Sequence, residues 1–94
     1  MKATWSPQAY EDVLRIREYI ALYDPDAAAR VAERIVAAVK RLRDFPMSGR
    51  TGRNPDTREL AVSKTRYVTV YQVRESDVVI LRVRHGAQAP DGSD

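Results

Sequence analysis

With 94 residues the chain has room for one domain, and its 44% hydrophobic and 31% charged content is that of a globular protein. The absence of cysteine excludes disulfides, thiolate nucleophiles and cysteine-ligated zinc, and the lone histidine, His85, excludes any site that needs two. The net charge of +3 is uneven: residues 40–66 carry eight basic and three acidic side chains, a balance of +5, whereas the segments on either side each stand at −1.

Lys2 to Ser6 alternates Ala3 and Trp5 with polar neighbours and predicts a short strand. Ser6-Pro7 reads as a helix cap followed by proline at the first helical position, where its missing N–H costs nothing. A first helix is expected from about Pro7 to Tyr23. Its apolar stripe is Ala9, Val13, Ile16, Ile20 and Tyr23, widened by Tyr10 and Leu14, with Glu11, Asp12, Arg15 and Glu18 on the polar side. Asp24-Pro25 repeats the start signal, so a second helix should run from Pro25 to Asp44 on Ala28, Val31, Ala32, Ile35, Val39 and Leu42. The short link makes the two helices an antiparallel hairpin.

Phe45 to Asp56 reads as a loop. Gly49 and Gly52 with Arg50 and Arg53 could cradle a phosphate, but their spacing fits no known phosphate-loop fingerprint, and a plain basic loop is the simpler reading. The period then changes to two. Arg58–Ser63, Arg66–Arg74 and Val78–Arg84 predict an antiparallel meander whose middle strand, apolar on both faces, is central. The fold class is therefore α+β, in the order β-α-α-β-β-β, with a helical hairpin packed on one face of a small, mainly antiparallel sheet. The opposite sheet face is left without a covering element. Residues 1–86 form the expected domain and residues 87–94 an expected flexible tail. No apolar run approaches the roughly 18 residues of a membrane span, and Met1 to Ser6 has no apolar signal core. The expected location is the cytoplasm.

The ordered set of motifs resembles the RelE/ParE superfamily of toxins from type II toxin–antitoxin systems, nearest its ParE branch. The resemblance is carried by Trp5-Ser6-Pro7, Tyr19-Ile20, Pro25, Leu42, Phe45-Pro46, Gly49-Arg50, Arg58-Glu59-Leu60, Tyr67–Tyr71 and Ile80–Gly86, ending in Arg84-His85-Gly86-Ala87-Gln88. It implies a toxin neutralised by a cognate antitoxin, with DNA contact made only through that antitoxin. A ParE-like member inhibits DNA gyrase and has no catalytic residues. A RelE-like member is a ribosome-dependent, metal-independent mRNA endoribonuclease. Neither implies a cofactor, a metal or a membrane.

For the inhibitor reading, Arg58, Tyr71, Arg82 and Arg84 are the expected target-binding residues, because buried interface anchors are enriched in arginine and tyrosine. Arg50, Arg53, Lys64 and Arg66 are expected to meet an acidic antitoxin, since charge complementarity speeds encounter. For the nuclease reading, Glu59, Arg82 and His85 supply a base, a cation and an acid. Strand alternation predicts Arg82 and Arg84 on the Val78/Ile80 face and His85 on the Leu81/Val83 face. The lysine-rich patch of RelE-like nucleases is not matched, since the corresponding region holds only Lys64.

Overall fold

The computed structural model describes residues 1–86; the expected tail, 87–94, lies outside the described residues. Seven elements follow in chain order: β1 (Lys2–Trp5), α1 (Pro7–Ala21), α2 (Pro25–Asp44), β2 (Arg50–Thr51), β3 (Arg58–Ala61), β4 (Tyr67–Val73) and β5 (Asp77–His85). Both helices begin as their sequences require. The Ser6 hydroxyl accepts from the Ala9 N–H at 3.0 Å, and the Asp24 carboxylate accepts from the Ala27 N–H at 3.1 Å. Helix α1 stops at Ala21, two residues short of the expected Tyr23, because Pro25 must open α2.

The five strands form one sheet in the order β1-β5-β4-β3-β2. β4 is central and antiparallel to both neighbours, while β1 runs parallel to β5 at one edge. β2 is an addition to the expected order: two residues of the loop pair with Arg58 and Glu59. A strand that short has no periodicity to read.

The helical hairpin covers one sheet face, and among the described residues no element covers the other. Ala9, Ile35, Val39 and Leu42 from the helices meet Val62, Tyr71, Val78, Ile80 and Val83 from the sheet side. Burying about ten such side chains at roughly 1.5–3 kcal/mol each gives a small domain its cohesion. Three expected core residues lie elsewhere: Tyr10, Leu14 and Tyr23 are exposed, at 60%, 41% and 76%. The stripe of α1 is narrower than its composition suggests because its C-terminal end and one flank overhang the sheet.

Candidate functional site

The decisive local feature is a bulge in β5. Tyr71 pairs with Ile80, but the next residue back, Val70, pairs with Arg82, so Leu81 is an extra residue. Helix α1 starts at this point: the Ser6 N–H donates to the Ile80 carbonyl at 2.9 Å and the Ser6 hydroxyl to the Leu81 carbonyl at 3.0 Å. The bulge reverses the alternation beyond it. Val83 and His85 now share the helix-covered face with Val78 and Ile80, whereas Arg82 and Arg84 stand on the open face. This corrects the expected placement of both arginines, and the physical reason is the one-residue insertion.

Cross-strand register then groups the candidate residues. Arg50, Glu59, Val70 and Arg82 form one row across the open face. Ala61, Val68 and Arg84 form the next. The Glu59 carboxylate is nearly buried and lies between two guanidinium groups: Arg50 reaches Oε1 at 3.3 Å and Arg84 reaches Oε2 at 3.1 Å. Arg50 is 81% exposed, whereas the Arg84 side chain is only 13% exposed. Around this cluster the open face holds a cavity of about 300 Å3, lined also by Gly52, Arg53 and Gly86.

His85 stands on the other face. It pairs with Tyr67 in the ladder, and their rings meet edge-on at 5.7 Å. A cleft of about 430 Å3 between α1 and the end of β5 joins His85 and Tyr67 to Tyr19, Arg15 and the stems of Arg82 and Arg84. Glu59 does not line it. The three residues expected for nuclease chemistry are thus divided: Arg82 and His85 border one cleft, and Glu59 belongs to a different cavity on the open face.

Two further residues of the expected set play other parts. Tyr71 is fully buried, which corrects its expected role as a target-binding residue. Its hydroxyl accepts from the Gly49 N–H at 2.9 Å and donates to the Pro46 carbonyl at 2.8 Å, tying the loop after α2 to the sheet. Burial pushes this hydroxyl above the ordinary phenol range, although the Gly49 hydrogen bond and the Arg58 guanidinium pull it down. Arg58 holds the same loop, donating to the Gly49 carbonyl at 2.7 Å. Lys64 and Arg66 are exposed in the turn between β3 and β4, where Lys64 adopts φ 62°.

Asp12 is the residue that the sequence reading missed. It was expected on the polar side of α1, yet it is 7% exposed. Its carboxylate accepts from Arg82 Nε at 2.8 Å, Arg82 Nη2 at 3.1 Å and the Val83 N–H at 2.9 Å. Beyond the reach of β1, this side chain takes the place of a neighbouring strand for β5. The available signal was its spacing, three residues after Ala9 and four before Ile16, which puts it on the buried stripe.

The model of the ParE toxin of type II toxin–antitoxin systems (parDE) matches residues 3–90. The chain belongs to the ParE toxin family. Among relatives, this toxin is 44% identical over 84 residues to toxin Y4kP of Sinorhizobium fredii, spanning 89% of this chain and 86% of that one. It is 37% identical over 87 residues to toxin RelE2 of Caulobacter vibrioides, spanning 93% and 97%. The fold superposes on a chain of the chromosomal ParDE toxin–antitoxin system of P. aeruginosa with a TM-score of 0.81 and 26% identity, covering 90% of this chain and 95% of the other. An antitoxin partner follows from membership of the family. Among the described residues no helix is long and apolar enough to cross a membrane.

Proposed function

We propose that this toxin acts by inhibiting DNA gyrase through protein–protein contact, that it performs no covalent chemistry, and that a cognate antitoxin neutralises it by direct binding. The observation that carries the reading is the division of the candidate catalytic set. General acid–base cleavage of RNA needs its base and acid within hydrogen-bond reach of one scissile phosphate. Glu59 and His85 belong to opposite sheet faces, and the Glu59 carboxylate already accepts from two guanidinium groups. An inhibitor needs only a rigid surface with aromatic and arginine anchors. The cleft beside α1 has that character, with Tyr19, Tyr67, Arg15 and Arg82 around Ile16.

The antitoxin reading rests on a separate surface. A groove of about 500 Å3 between α2 and β3 is lined by the apolar Ala37, Ala38 and Leu60 and by three cations, Arg34, Lys40 and Arg41, against one acid, Asp44. Such a groove suits an acidic amphipathic segment, apolar contacts carrying affinity and the cations carrying encounter rate. Lys64 and Arg66 are exposed in the turn that follows β3.

The second reading, a ribosome-dependent mRNA endoribonuclease, is favoured by one observation: Arg82, Arg84 and His85 border the same cleft. The His85→Gln variant separates the two. Induced without antitoxin, it should still arrest bacterial growth, because glutamine keeps a polar side chain at this edge of the cleft and the other anchors are unchanged. Under the nuclease reading the loss of a proton-transfer group removes roughly 10²–10⁴ in rate, and growth should recover. Recovery together with loss of mRNA cleavage on ribosomes overturns the inhibitor reading.

A further inference from the structure

The proposed inhibition makes no use of the open-face cavity around Glu59. We infer that this cavity and its arginines seat two or three neighbouring phosphates of the DNA backbone, giving the toxin a direct and sequence-independent contact with duplex DNA that no antitoxin mediates. Three guanidinium groups, of Arg50, Arg53 and Arg84, and one carboxylate, of Glu59, line the cavity, a balance of 3 − 1 = +2. The carboxylate works as an organiser. By accepting from Arg50 on one oxygen and Arg84 on the other, it fixes two guanidinium groups at the mouth. A guanidinium carries five N–H donors, and Arg50 spends one of them on Glu59, so donors remain for an oxyanion.

The surroundings select the kind of anion. Among the described residues no helix covers this face, so a long polymer can reach the cavity. The row that begins at Arg50 runs through Glu59 and Val70 to Arg82, whose guanidinium Asp12 holds, so the open-face positive charge gathers at the cavity. At the cavity's end Gly86 donates its N–H to the Arg66 carbonyl at 2.7 Å, which sets another basic residue beside it. Cations gathered on an uncovered sheet face suit a polyanion better than a small free ion. The strands put Lys2, Thr4, Ala61, Val68, Gln72, Asp77 and Val79 on this face with the residues already named, and none of them is aromatic. Single-stranded nucleic acid is held largely by stacking on aromatic rings, whereas duplex DNA is held by charge on its backbone. Duplex is therefore the favoured form.

The test is fluorescence anisotropy of the purified toxin with a labelled duplex of about 20 base pairs across a salt series. Two or three phosphate contacts at about −0.9 each give an expected log–log slope of roughly −2 to −3. The Arg50→Ala/Arg53→Ala double variant should flatten that slope by roughly 2 and weaken binding at low salt at least tenfold, to about a tenth or less. Both side chains are exposed, so this variant keeps its fold, which its thermal midpoint verifies. Arg30→Ala, exposed on α2, should change neither quantity. A third arm replaces the duplex by inorganic phosphate and follows the Gly52 and Gly86 amide resonances. No duplex binding at low salt, an unchanged slope in the double variant, or binding of phosphate without duplex each overturns the inference. No topoisomerase is present in the assay, so its outcome is independent of whether gyrase is the target.

Discussion

Replacing Gly49 by alanine lowers the stability of the toxin by about 3 kcal/mol, the upper end of the range for overpacking a closed site. A Cβ there would lie 2.6 Å from the Tyr71 hydroxyl oxygen and 2.7 Å from the Glu59 carbonyl oxygen. The second of these atoms is backbone in a paired strand and cannot swing aside. The first holds the loop to the sheet, so relief of the clash breaks the bonds from Gly49 and to Pro46. The thermal midpoint should fall by roughly 15 °C for a domain of this size. Gly86→Ala, whose Cβ would come no nearer than 3.3 Å to Arg66 and Val68, should cost about 1 kcal/mol at most. Equal midpoints for the two variants would contradict the packing described around Tyr71.

The second large effect is expected at Asp12. Removing its side chain strands the Val83 N–H, a buried donor on a strand edge that no other strand reaches among the described residues. An orphaned buried donor costs about 1–3 kcal/mol. The Arg82 bond adds little to this, because that side chain is 48% exposed and water replaces the lost partner. Asp12→Ala should therefore lose about 2 kcal/mol in urea unfolding with an unchanged slope. Asp12→Asn keeps an acceptor for Val83 and should lose about half of that. An alanine variant as stable as its parent would show that β5 needs no cover at this edge.

The fold was largely legible in the sequence, and the site much less so. Ser6-Pro7 and Asp24-Pro25 mark both helix starts because capping is local chemistry, written in adjacent residues. The run Tyr67–Val73 announced a central strand because both its faces meet neighbours. What failed was long-range. The bulge at Leu81 depends on where Ser6 meets β5, a contact between residues 75 apart. That single insertion turns Arg82 and Arg84 onto the open face and His85 onto the covered one. Tyr71 was read as a solvent-facing anchor because a tyrosine in a strand carries no mark of its partner; only the loop from Pro46 to Gly49 shows why it is inside. Asp12 looked like a surface acid because its partners lie in β5. Charge asymmetry was legible in outline, but the sequence did not reveal that Glu59 gathers Arg50 and Arg84 into one cluster.

Inhibition of gyrase without chemistry is tested most directly by adding the purified toxin, freed of antitoxin, to two purified reactions. One is supercoiling of relaxed plasmid by gyrase, and the other is translation of a defined mRNA on ribosomes. The account predicts that supercoiling falls as toxin is titrated in, for the parent chain and largely for His85→Gln, while the mRNA stays intact and its translation continues. Cleavage of the mRNA at discrete sites with supercoiling untouched would contradict it.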